Sequence, residues 1–422
     1  MPDCVTLRRG QTQKQMADPT HQHSTASSSS EKHSLAELAL FFLRLGTTAF
    51  GGPAAHIAIM EDELVRRRKW LTREKFLDLL GASNLIPGPS SSELAIHIGY
   101  LRCGWMGLLV GGICFILPAA ILVACIAWAY VRFGHLPAVA GLLYGVKPVV
   151  VAVILQALWG LGRTAVKNSL LAVTGVICVA LSFLGVNALL ILAGAGTTIA
   201  LIHTIDSARK HHRTVTLGAF ALLRRSVAVK GTRLLSLVGA GAAAMVMPAI
   251  WSLFLVFLKI GSVVFGSGYV LLAFLRADLV VHRAWVTDAQ LVDAVAIGQV
   301  TPGPVFTTAT FIGYLLRGPA GAVVATVGIF LPAFVLVAMS GPLIPYIRRS
   351  ATAGAFLDGV NVASLALMAA VSYQLGRAAL VDWLTIGLTI ASAILLLRFR
   401  INSAWLVLGG ALVGIVTQFV RG

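Results

Sequence analysis

From Leu35 to Val420 the chain is a succession of apolar runs of helix-spanning length, separated by short connectors that carry most of its lysines and arginines. Inside hydrocarbon every backbone N–H and C=O must find a partner within the chain, which leaves helices and closed barrels as the spanning structures. Barrel strands are segments of about ten residues with alternating polarity, whereas a helix needs about 20 apolar residues in a row. These runs are of the second kind, so the chain reads as an all-α polytopic membrane protein. Its 58% hydrophobic and 12% charged content agrees. The net charge of +17 would suggest nucleic acid in a soluble protein, but here the basic residues sit in connectors and lack interleaved aromatics. That pattern belongs to loops beside anionic lipid, so the bilayer, not nucleic acid, is the partner. Five cysteines without a CxxC pair or a His ligand set indicate neither a metal site nor a disulfide framework.

The chain repeats itself. Residues 42–53, "FLRLGTTAFGGP", align with 257–268, "FLKIGSVVFGSG", at an offset of 215. The same offset matches Trp70 with Trp285, Thr72 with Thr287, Asp78 with Asp293 and Pro87-Gly88-Pro89 with Pro302-Gly303-Pro304. After one deletion, at 214, Gly99-Tyr100 matches Gly313-Tyr314 and Leu161-Gly162-Arg163 matches Leu375-Gly376-Arg377. A register this long marks two homologous halves. The organisation is a disordered polar tail (1–34), an N-terminal repeat (35–203), a basic cytoplasmic linker (204–248) and a C-terminal repeat (249–422).

Charge sets the direction of each half. Loop 66–75, "RRRKWLTREK", holds six Lys/Arg, and its counterpart 281–290, "VHRAWVTDAQ", holds one. Equivalent loops of such unequal charge lie on opposite sides of a membrane, the richer one inside. The halves are therefore expected as inverted-topology repeats, each with about five transmembrane helices plus a broken or re-entrant Pro-Gly-Pro helix. The spans expected in the first half are 36–60, 105–130, 138–160, 169–186 and 188–203, with the broken segment at 76–101. This count leaves the N-terminal tail outside.

Pro-Gly-Pro at the midpoint of a spanning segment removes two backbone donors and frees carbonyls, which is tolerated at that depth only inside protein or beside water. Proline suits the first turn of a helix, so Pro89 is expected to open a half-helix with Gly88 as its cap. The positive end of that half-helix would point into the bundle, flanked by Ser90 and Ser91, as Thr307 and Thr308 flank the second break. Such an end suits an oxyanion, although a kink in a packed helix is the simpler alternative. Asn84 and Gln299 precede the two breaks, and Gly303 is the second cap. Arg44 and Lys259 occupy matching positions within apolar runs, either as substrate cations or as residues snorkelling to an interface. Gly51 and Gly52 follow Arg44 and allow close backbone approach to a ligand or a neighbouring helix. Glu93 has no acidic counterpart in the other repeat and either carries protons or caps the first turn.

Several of these stretches resemble the chromate ion transporter family. "FGGPAAHIAIM", "NLIPGPSSSELAIHIGY" and "FILPA" are similar to its first-half motifs, and "DAVAIGQVTPGPVFTTATFIGYL" with "GIFLP" to its second-half motifs. The resemblance implies a long-chain, two-domain secondary transporter that exports chromate across the bacterial inner membrane and confers resistance. It implies sulfate as a competitor of the same shape and charge, and the proton-motive force as energy source. A carrier of sulfate or another oxyanion is the alternative within this class, and a homodimer is a possible assembly. No cofactor is expected, since there is no GxxxxGK[ST] nucleotide loop. The competitor from the enzymes is an intramembrane lipid-phosphate phosphatase. Undecaprenyl-diphosphate phosphatases carry a "PGxSRS" element similar to "PGPSSS" at 87–92, but the phosphate-binding arginine of that element is Ser91 here. The reading is therefore of a non-enzyme.

Overall fold

A computed structural model describes residues 23–50, 52–134, 136–211, 248–265, 270–399 and 401–421. Most of the polar tail, most of the linker, Gly51 and the Gly266–Gly268 part of "FGSG" lie outside the described residues. The first repeat runs α1 (His23–Thr48), α2 (Gly52–Glu61), a π-helical turn (Asp62–Arg67), α3 (Arg73–Ser83), α4 (Ser90–Phe133), α5 (Pro137–Ala165), α6 (Ser169–Phe183) and α7 (Ala188–His211). The second runs α8 (Ile250–Val263), α9 (Leu271–Leu275), a π-helical turn (Arg276–His282), α10 (Asp288–Val300), a 3₁₀ turn (Val305–Thr307), α11 (Thr308–Arg349), α12 (Ala351–Ala379), α13 (Trp383–Arg398) and α14 (Ser403–Arg421). Among the described residues six helices are long and apolar enough to cross a bilayer, and α6, α8 and α13 are shorter apolar helices.

The repeat extends to single dihedral angles. Lys69 and its mate Ala284 both adopt positive φ, 52° and 50°. Thr72 accepts from the Lys75 N–H to cap α3, and Thr287 does the same for α10 with the Gln290 N–H. This explains why the two threonines match: each supplies an oxygen to a helix-end donor that the helix itself cannot satisfy.

Both long helices are folded back on themselves. Gly104 (φ 58°, ψ −144°) and Gly318 (φ 62°, ψ −151°) interrupt α4 and α11 in a backbone region that side chains rarely enter. Beyond each reversal the two arms touch through glycines. A Cβ added to Gly99 would lie 2.1 Å from the Gly107 carbonyl oxygen, and one added to Gly313 would lie 2.3 Å from that of Gly321. Backbones approach this closely only across small residues. The arm 90–102 also runs back alongside α3, with Ser83 Oγ 3.5 Å from His97 Nδ1. Thus α3, the Pro-Gly-Pro turn and residues 90–102 form one hairpin, and 105–133 is a separate full-length helix. With 11 residues α3 is about 16 Å long, half of the hydrocarbon thickness.

The span expected over 36–60 is broken. Helix α1 stops at Thr48 and α2 starts at Gly52, with Ala49 and Phe50 non-helical between them. Helix α8 likewise stops at Val263.

The halves interlock. Helices α6 and α7 pack on α12, and correspondingly α13 and α14 pack on α5, so each repeat's last two helices cover the other repeat. The equivalent helices α5 and α12 run antiparallel: Val151 lies against Gly376 and Leu365 against Gly162, and each pair is the image of the other under the repeat. A two-fold relating antiparallel helices lies across their axes.

Candidate anion site

At the centre, the turn of each hairpin meets the helix break of the opposite repeat. Proline carries no N–H, so Gly88 is the sole donor within Pro87-Gly88-Pro89. It donates to the Val264 carbonyl at 2.7 Å, and its mate Gly303 donates to the Ala49 carbonyl at 3.1 Å. Ala49 and Val264 are themselves repeat mates. Each Pro-Gly-Pro donor therefore satisfies a carbonyl that helix termination set free, and the two glycine N–H groups are spent on the scaffold. Their geometry demands glycine: φ is +143° at Gly88 and +94° at Gly303.

Beside this crossing lies a cavity of about 920 Å³. One wall is the first hairpin and the start of α2, with Asn84, Ser90 and Pro53; the other is the C-terminal end of α5 with Gln156 and Arg163, facing Asn361 and Ser364 of α12. Lys167 also lines it and pairs with Asp358 at 2.7 Å. Arg163 enters no ion pair among the described residues, which leaves the cavity wall with one uncompensated positive charge. Ser364 Oγ has no hydrogen-bond partner among the described residues. Ser90 opens α4, so the positive end of that helix adjoins the same space.

The residues singled out in the sequence divide as follows. Asn84 and Ser90 line the cavity. Gly52 opens α2 next to the lining residue Pro53, and Gly51 lies outside the described residues. Ser91 is buried, its Oγ 3.4 Å from His56 Nδ1. Thr307 and Thr308 are buried and donate to the carbonyls of Pro304 and Val305, both at 2.8 Å. Gln299 is half-buried, and its amide nitrogen has no hydrogen-bond partner among the described residues. Arg44 is exposed on α1, and Lys259 is held bidentately by Asp278 at 2.8 and 2.9 Å; neither lines the cavity.

Glu93 is wholly enclosed, and both carboxyl oxygens lack a hydrogen-bond partner among the described residues. The side chain turns back over the Pro-Gly-Pro turn, since a Cβ added to Gly88 would lie 2.2 Å from Glu93 Oε1. Around it the first repeat is polar where the second is not. His97 Nδ1 donates to the Glu93 carbonyl at 3.0 Å, and its Nε2 reaches Ser340 Oγ of the other repeat at 2.9 Å. Sequence reasoning passed over Arg163, Gln156 and Asn361. Arg163 stood in the matched Leu-Gly-Arg triplet, but it served there only as a mark of register.

The chromate transporter family profile matches residues 36–200 and 251–415, once per repeat. The chain belongs to the chromate transporter family. It is 33% identical over 388 residues to the chromate transport protein of Cupriavidus metallidurans, covering 91% of this chain and 93% of that one. Against the chromate transport protein of Pseudomonas aeruginosa the identity is 31% over 382 residues, with 88% and 90% covered. A probable chromate transport protein of Synechococcus elongatus is 30% identical over 360 residues, with 83% and 86% covered. No solved structure matches. With six bilayer-length helices among the described residues, this family member is a multi-pass membrane protein.

Proposed function

We propose that this protein is a secondary carrier that exports chromate across the bacterial inner membrane, driven by the proton-motive force, and so confers chromate resistance. Sulfate, a tetrahedral dianion like chromate, competes for the same path. The observation that carries the reading is the cavity: uncompensated Arg163, neutral donors at Asn84, Ser90 and Asn361, and a helix N-terminus facing one space. A dianion is stabilised there by charge-assisted bonds without meeting an unpaired carboxylate on the cavity wall.

Inverted topology fits the same reading. Antiparallel packing of α5 against α12, and the six-to-one charge contrast between loops 66–75 and 281–290, favour a pseudo-two-fold axis in the membrane plane. Each Pro-Gly-Pro hairpin then enters and leaves on one side. Glu93, enclosed and unpartnered at the turn of the first hairpin, is the proton carrier in this scheme.

Flux in inverted vesicles tests it. Chromate and sulfate uptake should depend on the proton gradient, and Arg163→Gln should weaken both ions together, by roughly tenfold to more than a hundredfold for a lost charge-assisted contact of ~1.5–3 kcal/mol. Normal affinity for both ions in Arg163→Gln, with normal amounts of protein in the membrane, would remove the cavity from the transport path.

A further inference from the structure

A second charged cluster lies towards the other end of the α5–α12 pair. Asp293 of α10 is buried at 4% exposure, and its Oδ1 lies 2.9 Å from Lys147 Nζ of α5. Tyr130, near the end of α4, donates to Asp293 Oδ2 at 2.9 Å. The cluster joins the two repeats, since Lys147 and Tyr130 come from the first and Asp293 from the hairpin of the second.

Its position follows from the repeat. The cavity described above uses Asn84, Asn361, Ser364 and Leu365. Their repeat mates are Gln299, Lys147, Val150 and Val151. Lys147 therefore stands where Asn361 stands in the open cavity, but on the opposite side of the pseudo-two-fold. Val151 is buried at 6% exposure where Leu365 is half-buried, and Gln299 is half-buried where Asn84 is exposed. Asp293 is buried, whereas its mate Asp78 is exposed on α3. Ser364 is as buried as Val150 and Arg377 as exposed as Arg163, so the unequal access is confined to the positions around Asp293: there the image of the cavity is the more closed of the two.

We infer that the Lys147–Asp293–Tyr130 cluster closes the repeat-related counterpart of the cavity, with the Asp293 carboxylate occupying on Lys147 the place that a transported oxyanion takes once that side opens. The chemistry requires an internal stand-in. A half-buried ammonium group left bare among apolar neighbours is unfavourable, and a carboxylate presents it with the same anionic oxygens as chromate. Tyr130 holds the second carboxylate oxygen and so fixes the pair. Opening this side must part α10 from α5, the relative movement of repeats that alternating access needs. On the carrier reading above, the substrate then replaces Asp293 as the partner of Lys147.

The test uses single cysteines in the full-length chain with its native cysteines replaced. Leu365→Cys, in the open cavity, should react with a membrane-impermeant maleimide from one side, and Val151→Cys should be nearly inert from the other. Adding Asp293→Asn should raise the Val151→Cys labelling rate about tenfold or more, the shift expected when one charge-assisted contact is removed from a two-state equilibrium. If Val151→Cys stays inert in Asp293→Asn while Leu365→Cys still reacts, the protein is folded and the gate is refuted. The exchange Lys147→Asp with Asp293→Lys separates structure from transport. It should restore protein amount without chromate uptake, whereas Lys147→Arg should retain uptake with an altered half-saturating concentration. Uptake by the exchanged pair at the wild-type concentration dependence would reduce the cluster to a structural ion pair and overturn the inference. If the unmodified chain moves no chromate but Asp293→Asn still exposes Val151→Cys, the gate stands and the substrate assignment falls.

Discussion

Replacing Gly303 by alanine tests whether the Pro-Gly-Pro crossing is built as described. Two separate costs apply. The backbone there has φ +94°, and a side chain in left-handed backbone costs about 1–2 kcal/mol. The new Cβ would also lie 2.6 Å from Ala119 Cβ and 3.1 Å from the Gly46 carbonyl oxygen, an overpacking that costs about 1–3 kcal/mol. The sum is roughly 2–5 kcal/mol. Two other glycines calibrate it. Gly104 has φ +58° but nothing within 4 Å of an added Cβ, so Gly104→Ala carries the backbone cost alone. Gly160 lies inside α5 with open space around it, and Gly160→Ala should be neutral or stabilising by about 0.5–1 kcal/mol. Unfolding in detergent, followed by thermal or denaturant titration, should rank Gly160→Ala above Gly104→Ala above Gly303→Ala. Adding Ala119→Gly to Gly303→Ala should recover part of the packing cost and none of the backbone cost. Equal stability of Gly303→Ala and Gly160→Ala would mean that the turn does not pack against the opposite repeat as described.

Three further outcomes are expected. Arg68→Cys and Arg283→Cys, in a background lacking native cysteines, should be labelled from opposite sides of the membrane, and labelling from one side would end the inverted-topology reading. Glu93→Gln should keep chromate exchange and lose accumulation driven by a pH gradient; normal accumulation would leave Glu93 a structural residue. Lys259→Gln should lower stability by about 1–3 kcal/mol, since it strips Asp278 of its bidentate partner, while leaving the half-saturating chromate concentration unchanged. A raised half-saturating concentration in Lys259→Gln at normal protein amount would instead return the lysine to the anion path.

Much of the scaffold was legible in the sequence because it depends on local backbone chemistry. Pro-Gly-Pro has to break a helix wherever it stands, and a duplicated break at constant offset marked the repeat, while leaving open whether each segment is broken or re-entrant. Residues 36–60 were harder, because Ala49 and Phe50 look helix-compatible. The break is local as well as tertiary: Pro53 has no N–H to give the Ala49 carbonyl, which is taken instead by Gly303 from 254 positions along the chain. Side-chain roles were the least legible. Lys259 and Arg44 had the right charge at matching positions, but an ion partner such as Asp278 is found only when the π-helical turn folds beside α8. Arg163 was visible yet silent, since its meaning depends on α12 meeting α5 across the two-fold.

The difference between what could and could not be read follows from duplication. A repeat constrains both halves to share backbone devices, because each hairpin turn must complete the break in the other half and neither can change alone. Side chains facing the cavity or its image carry no such reciprocal duty, and several have diverged: Asn361 against Lys147, Asn84 against Gln299, Ser364 against Val150. On the carrier reading, symmetry of the backbone would let the two vestibules exchange shape, and asymmetry of the charges would make the two states unequal. The gradients outside a carrier set its net direction whatever its vestibules, while unequal vestibules make the affinities and populations on the two faces unequal. On the carrier reading both faces keep an arginine, Arg163 and its mate Arg377, and the difference lies where Asn361 on one face is matched on the other by Lys147 with its counter-ion already in place.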